Sequence, residues 1–541
     1  MCDRGAESID FDAGASTSSI GSNASSAVVI YTEASGASTS NSATISNASS
    51  SEVYIEPSES SRALQPSTFD VWRCCNQLTQ PQTPLRIVRA NYQYLYDYPN
   101  NQYLDCVSNV AHVGHCHPAV VRAMGAMDTA FTCSVWDIDY GEFQYPKELQ
   151  KILPEELDTL LFCDSGSEAV DLALQLSRLS TSGTDVIVVN HAFHGALDSV
   201  HQLSAKIDQS KSRPKADWVH CVALPDLYRG QYQSNDPLAV DKYIADAKRV
   251  MDSVVQEGKK IACFIAEPML TIPGCIVPPN TWLKEMYKMV REFGGLCIAD
   301  EVQTGLGRIG SHYWSFQAHD VTPDILIIGK SLGNGYPMAS VVTSNKIAAL
   351  LGERIREYPC TKMMDAAGCS VLKVLQDEQL MENAVEVGAL LKTELLRLQQ
   401  EYDCIGNIRG TGFMIGIEIV WSQLSKRPAP EIAEQIVQRM RREYIIIAHE
   451  GKNRNILLLM PPMCFTLKNA LMFCNSLQKI LFELTDTMIL KALSLITGRP
   501  IEGTIEGRLG IVQPQKENDD ELPSTSNANP DSVPYSYHDL D

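Results

Sequence analysis

Two apolar runs decide how the chain is interpreted. They are Leu296-Cys297-Ile298-Ala299-Asp300 and Ile325-Leu326-Ile327-Ile328-Gly329-Lys330, and each predicts a buried strand. Burial at a strand end lowers the pKa of a lysine and makes its amine nucleophilic, which is what Schiff-base chemistry requires. Asp300, at the end of the other run, can keep a ring nitrogen protonated. Together Lys330 and Asp300 predict a site for pyridoxal 5'-phosphate (PLP).

Two other interpretations of these runs are weaker. Gly329-Lys330-Ser331 also matches the end of a P-loop, but that motif needs a glycine where this chain has Asp324. Asp300 and Glu301 could alternatively bind a metal ion, although no further carboxylate or histidine lies nearby in the strand pattern. The runs alone leave the choice open.

Composition locates the folded part of the chain. Of 541 residues, 1–65 are dominated by Ser, Ala, Thr and Asn, and the last forty are rich in Pro, Ser, Asn and acids. Such segments bury too little apolar surface to offset their ordering entropy, so we expect disordered tails. Residues 1–65 carry eight acids and two bases, and residues 500–541 carry nine and two, so the tails supply 13 of the 20 net negative charges. The mildly acidic middle argues against nucleic acid as a partner.

Targeting signals are weak in this sequence. No apolar run has the length of a membrane span, and no apolar signal core predicts secretion. The Ser-rich N-terminal region is acidic and poor in Arg, which weakens a mitochondrial transit interpretation. The 16 cysteines lack Cys-x-x-Cys pairs and are interpreted as reduced core thiols. The compartment is left as mitochondrial or cytoplasmic.

Between about residues 70 and 490, short apolar runs alternate with helical periods. The runs Val186 to Val189 and Ala262 to Ala266 join the two already quoted, and an amphipathic stretch covers Trp282 to Phe293. This alternation predicts an α/β fold with a mostly parallel sheet covered on both faces. Helices over 368–400 and 430–445, with strands at 415–419 and 456–459, predict a second, smaller α/β lobe.

Ligands bind beyond the carboxyl ends of the strands in such sheets. Four turns fall at those ends, at Phe193, Glu267, Asp300 and Lys330, so we expect them to form one site. Ser165 and Glu168 have capping-box spacing, which predicts a helix starting near Gly166. Its N-terminus could cradle a phosphate, or it could be an ordinary capped helix.

Three histidines, His112, His115 and His117, invite a metal interpretation. Their string is broken by glycine and followed by Pro118, and no partner cluster of ligands stands out. A zinc site needs a fuller ligand set, so we favour a loop packed beside the active site.

Taken in order, these residues and others resemble one family, the class III (fold-type I) PLP-dependent aminotransferases, over about residues 70–485. The resemblance is strongest to the alanine–glyoxylate aminotransferase 2-like group, which includes ethanolamine-phosphate and phosphohydroxylysine phospho-lyases. It rests on strings at 103–106, 109–118, 165–169, 191–195, 299–303, 329–335, 409–412 and 461–465. It implies a seven-stranded large domain, a small lobe and a homodimer with sites at the interface. The expected segments are a tail (1–65), small-lobe start (66–120), large PLP-binding domain (121–365), small domain (366–487) and acidic tail (488–541).

The resemblance also assigns roles to residues. Lys330 holds the cofactor covalently and moves a proton at the substrate carbon, and Asp300 pairs with the pyridine nitrogen. The other cofactor contacts implied are ring stacking by Phe193, packing on the opposite ring face by Val302, a bond to the ring hydroxyl from Gln303, and phosphate contacts from Gly166 and Ser167. Glu267 resembles the family's acid near the site.

The chain departs from the family pattern at the substrate end. A Thr-x-Gly-Gly-Asn-Pro string is missing near 357–362, where only Thr361 could replace the threonine that binds the phosphate across the dimer. Leu458 replaces a basic residue, and Val135-Trp136 replaces Arg-Tyr. The resemblance thus implies a transaminase acting between an amino donor and a 2-oxo acid such as glyoxylate or pyruvate. The alternatives are a phospho-lyase for phosphoethanolamine or phosphohydroxylysine, and a weakened dimeric pseudoenzyme.

Overall fold

The computed structural model describes residues 85–126, 142–204 and 216–497, with side chains described up to residue 486. The predicted tail 1–65, residues 498–541 of the second predicted tail, and Val135-Trp136 lie outside the described residues. The second tail was predicted to begin at residue 488, but residues 488–497 continue the last helix that the structure describes. The described strands are β1 (Ile87–Asn91), β2 (Tyr94–Asp97), β3 (Gln102–Asp105), β4 (Thr159–Cys163), β5 (Asp185–Val189), β6 (Val219–Val222), β7 (Ile261–Ala266), β8 (Leu296–Asp300), β9 (Ile325–Ile328), β10 (Ala339–Thr343), β11 (Ile405–Thr411), β12 (Met414–Ile419), β13 (Ile445–Ile446), β14 (Ala448–Glu450) and β15 (Ile456–Leu459).

Helices alternate with most of these strands. They are α1 (Pro118–Gly125), α2 (Tyr145–Gln150), α3 (Gly166–Thr181), α4 (Asp198–His201), α5 (Ala239–Gln256), α6 (Asn280–Glu292), α7 (Asn345–Ala348), α8 (Lys362–Asp377), α9 (Leu380–Glu401), α10 (Pro430–Arg442) and α11 (Leu467–Thr497). Short 3-10 turns cover Ser315–His319, Lys330–Leu332 and Ala349–Glu357. None of the helices in the described part of the chain is long and apolar enough to cross a membrane.

The large sheet has seven strands in the order β4-β10-β9-β8-β7-β5-β6. Strand β10 runs in the direction opposite to the other six strands of this sheet, which confirms the mostly parallel sheet. Alternate residues of its strands pack against α3 on one face and against α5 and α6 on the other. Two-sided burial explains why β5, β7, β8 and β9 are continuous apolar runs.

Two four-stranded sheets lie apart from the large one. In the first, β11, β12, β15 and β14 pair antiparallel. In the second, the early strands β1, β2 and β3 form hairpins, and the late strand β13 adds to β3 in parallel. The chain therefore returns from its C-terminal part to complete a sheet that its N-terminal part began.

One predicted helix was wrong in extent. The stretch 368–400 is not a single helix but the end of α8 and most of α9, separated by Gln379 in the left-handed region at φ 51°. The apolar period continues through the break, because both helices bury their apolar face in the same core. Apolar periodicity alone therefore could not reveal the break.

Candidate active site

The four predicted strand ends converge at one edge of the large sheet. A single cavity there is lined by Gly166, Phe193, His194, Gly195, Asp300, Val302, Gln303 and Lys330. Six of these eight residues were singled out from the sequence. Glu267 lies close by, since the charges of Asp300 and Lys330 both affect the pKa of its carboxyl group.

Lys330 starts a tight turn where β9 ends. Its φ of 33° places a non-glycine residue in the left-handed region, which is unfavourable for an L-residue and is a recurrent feature of functional sites. Gly329, just before it, lies against Val302, so a Cβ there would meet the valine methyl groups at 3.3 Å. The turn therefore sets the lysine at the cavity that Val302 also lines.

Asp300, the last residue of β8, is held from two sides. His194 Nδ1 lies 2.7 Å from Asp300 Oδ2, and the backbone N–H of Val302 donates to Oδ1 over 3.1 Å. Both side chains of the His–Asp pair are buried. Because a carboxylate can only accept, the histidine carries its proton on Nδ1. Its Nε2 is buried without a hydrogen-bond partner among the described residues.

The helix start beside this pair was predicted correctly. Helix α3 begins at Gly166, and Ser165 Oγ accepts from the backbone N–H of Glu168. The glutamate carboxylate reaches back to the N–H of Asp164 instead of Ser165. A Cβ on Gly166 would lie 3.2 Å from the Val302 methyl groups, closer than an ordinary contact, so the glycine gives this helix end room beside the cavity.

Ser167 is buried in the first turn of α3, against the loop that follows β5. Its Oγ accepts from the backbone N–H of Ala196 over 3.1 Å. Gly195 has a φ of 131°, and a Cβ there would approach Ser167 Oγ to 2.5 Å. The glycine thus allows two loops to meet where the helix N-terminus faces the cavity.

Two buried acids flank Asp300 with different surroundings. Glu267 Oε2 accepts from the backbone N–H of Thr271 over 3.3 Å, and its Oε1 has no partner among the described residues. Burial, followed by the charge of Asp300, raises its pKa well above the usual value. Glu301 is hydrogen-bonded by Thr304, Ser315 and the N–H of Phe316, yet burial still raises its pKa to about 7.

Two sequence-derived residues lie away from the cavity. Thr361 is exposed, and its Oγ1 caps α8 by accepting from the N–H of Met364. Leu458, on β15, is buried in an apolar cluster formed by Met269, Cys275, Ile309, Met414, Ile456, Leu458 and Met460. The structure therefore does not bring Thr361 to the cavity of its own chain, and it surrounds Leu458 with apolar side chains.

The three histidines point to different partners. His112 contacts the carbonyl of Leu306, His115 pairs with Asp105, and His117 pairs with Glu378. In the described ranges no three side chains of the metal-ligating types come together. His112 contacts the loop that follows Asp300, which agrees with the predicted loop packed beside the active site.

Three residues at or around the cavity escaped the sequence argument. His194 follows Phe193 directly in a string that was noted only for its aromatic residue. Asn109 donates to Gln303 Oε1 over 2.6 Å, and Arg308 is 1% exposed behind them. The position of His194 after a strand could have suggested it. Asn109 lies in a string that was used only for the family resemblance, and no local pattern marks Arg308.

Comparison with known proteins agrees with this geometry. Residues 77–481 match the family model "Aminotransferase class-III". A Drosophila melanogaster protein named alanine–glyoxylate aminotransferase 2-like is 39% identical, covering 73% of this chain and 82% of the relative. Ethanolamine-phosphate phospho-lyase homolog 1 of Caenorhabditis elegans is 38% identical, covering 75% and 90%. Human alanine–glyoxylate aminotransferase 2, mitochondrial, is 33% identical, covering 71% and 79%.

Among solved structures, a phospholyase from Arthrobacter in complex with phosphoethanolamine superposes with a TM-score of 0.70. It is 29% identical, covering 74% of this chain and 95% of that one. The chain belongs to the class III aminotransferases, which are PLP-dependent enzymes of fold-type I. The resemblance drawn from the sequence is thereby confirmed, together with the cofactor.

The cavity fits this cofactor. PLP needs an amine for its aldehyde, a carboxylate for its ring nitrogen and an anion site for its phosphate. Lys330, Asp300 and the Gly166 helix end face one cavity and offer these three groups. The cradle at Gly166 and Gly195, which a Cβ would narrow, is the observation in this structure that most directly suits a phosphate.

Proposed function

We propose that this chain is a transaminase that moves an amino group between an amino donor and a 2-oxo acid such as glyoxylate or pyruvate. The observation that carries the proposal is the convergence of Lys330, Asp300 and Gln303 on one cavity in a class III aminotransferase fold. When bound, PLP supplies an aldehyde that links to amines and a ring that accepts the electron pair released at the substrate carbon.

The chain's own residues then divide the work. Lys330 holds the cofactor through its amine and moves the proton at the substrate carbon. The Asp300 carboxylate, oriented by His194 and by the Val302 N–H, holds a proton on the ring nitrogen. A charge-assisted hydrogen bond of this kind contributes roughly 1.5–3 kcal/mol. Gln303 bonds the ring oxygen.

The remaining residues bind without reacting. Phe193 and Val302 cover the two faces of the ring, and Gly166 and Ser167 hold the phosphate at the start of α3. Burial raises the pKa of Glu267 well above its usual value, which disfavours a second negative charge near Asp300.

One experiment tests the cofactor assignment. Purified protein incubated with PLP should absorb visible light, and borohydride should fix the cofactor on Lys330, as located by peptide mass mapping. Lys330→Ala should lose both signals, while Lys284→Ala, which changes an exposed lysine paired with Asp320, should keep them. A colourless wild-type protein would contradict the proposal and favour the pseudoenzyme.

Phospho-lyase activity is the second candidate, favoured by the names of the Caenorhabditis and Arthrobacter relatives. It stands second because the matching family model and the Drosophila and human relatives are named as aminotransferases. Leu458 does not separate the two reactions: it is 1% exposed within apolar neighbours, and the lack of a cation there disfavours a substrate carboxylate and a substrate phosphate alike. We expect amino transfer to glyoxylate or pyruvate to exceed phosphate release from phosphoethanolamine, and the reverse ratio would make the phospho-lyase the better assignment.

The proposed assembly is a homodimer. Thr361 is exposed and caps α8 at a distance from its own cavity, so its proposed phosphate contact needs a second copy of the chain. Light scattering should give twice the mass of one chain. A mixture of Lys330→Ala and Thr361→Ala proteins, refolded together, should regain activity that neither variant has; no recovery would remove Thr361 from the site.

The proposed compartment is the mitochondrion, because the human relative carries that word in its name. Subcellular fractionation of the full chain should recover it with mitochondrial markers. Recovery in the cytosolic fraction would leave the cytoplasmic alternative.

A further inference from the structure

Asn109 contacts a residue of the proposed cofactor site without lining the cavity itself. Its Nδ2 donates to Oε1 of Gln303 over 2.6 Å, and both side chains are buried, at 4% and 7% exposure. A glutamine amide has one acceptor oxygen and one donor NH2 group. Because Asn109 engages the oxygen, the NH2 group of Gln303 is the end left to face the cavity.

The segment that carries Asn109 is itself held in place. Arg308, which is fully buried, has its NH2 3.4 Å from the Asn109 carbonyl and 3.2 Å from His112 Nδ1. Burial lowers the pKa of His112 to about 3, so its ring is neutral. Its Nε2–H donates to the Leu306 carbonyl over 2.7 Å, which leaves Nδ1 to accept from Arg308. The Gln303 loop and the Asn109 segment are thus bound together next to the amide pair.

We propose that Asn109 is a positioning residue that makes Gln303 present an N–H donor, and not a carbonyl acceptor, to the ring oxygen of the cofactor. This inference rests on the role of Gln303 proposed above. A donor stabilises the ionised oxygen, whereas an acceptor repels it. Without Asn109 the side-chain amide of Gln303 can rotate by half a turn, so the ring oxygen loses its N–H donor although Gln303 is still present.

The test compares Asn109→Ala, Gln303→Ala and the double variant as holoenzymes. Asn109→Ala should weaken PLP binding about tenfold and raise the pH midpoint of the bound cofactor's absorbance change. The double variant should bind PLP no more weakly than Gln303→Ala, because effects that act through one group do not add. Asn469→Ala is the matched control, since Asn469 accepts from Gln93 over 2.8 Å in another buried Asn–Gln pair; it should leave PLP affinity and the midpoint unchanged.

Several results would overturn the inference. One is that Asn109→Ala matches Asn469→Ala in both PLP affinity and the pH midpoint. Another is that the losses of PLP affinity in the two single variants add up in the double variant. The isosteric Asn109→Asp replaces the alanine variant if that protein does not fold, with the same non-additivity expected. If Gln303→Ala has no effect, the inference fails with the role of Gln303, while borohydride fixation on Lys330 still reports separately on the proposed function.

Discussion

Removal of the imidazole behind Asp300 should separate cofactor binding from folding. In His194→Ala, Asp300 Oδ2 loses a donor that lies 2.7 Å away in a buried setting. Hydrogen bonds to charged groups contribute roughly 1.5–3 kcal/mol, and each 1.4 kcal/mol is a factor of ten, so PLP should bind about 10- to 150-fold more weakly. The dissociation constant can be read by absorbance as PLP is titrated into apoprotein.

The matched control is His220→Ala. His220 Nε2 lies 2.8 Å from Asp185, another buried aspartate on the same sheet, but at the start of β5 and away from the cavity. Both variants should lower the thermal midpoint, whereas only His194→Ala should change PLP affinity. Equal PLP affinity in the two variants would refute the argument, because it would mean that the orientation of Asp300 does not depend on His194.

Two further perturbations follow from the same contacts. Gly195→Ala should weaken PLP binding and lower the thermal midpoint, since its Cβ would meet Ser167 Oγ at 2.5 Å; Gly258→Ala, at φ 77° with open space around it, has the backbone strain without the clash and should spare PLP affinity. Glu301 has a pKa of about 7 against an ordinary 4.5, so the folded protein binds more protons than the unfolded one between these values, and stability falls as pH rises. The urea unfolding free energy of wild type relative to Glu301→Gln should drop by up to about 3 kcal/mol from pH 4.5 to 7, and a flat difference would contradict the cause assigned.

Local patterns predicted the elements that local chemistry forms. The apolar runs became the strands of the large sheet because two-sided burial leaves no place for polar residues, and Ser165 with Glu168 marked the start of α3. The pairs that orient the site were invisible to such patterns. His194 and Asp300 are 106 positions apart, and Asn109 and Gln303 are 194 apart, so only the folded chain brings them together.

The cofactor end and the substrate end of the site also differ in where they come from. The residues proposed to face the cofactor lie at the carboxyl ends of strands in the large sheet and at the start of α3, where strand order brings them together. The departures from the family lie elsewhere, with Leu458 on β15 of a separate sheet and Thr361 at the start of α8. Loss of a cation at Leu458 therefore leaves Lys330 and Asp300 in place. We therefore expect the protein to bind PLP tightly but to turn over anionic substrates slowly.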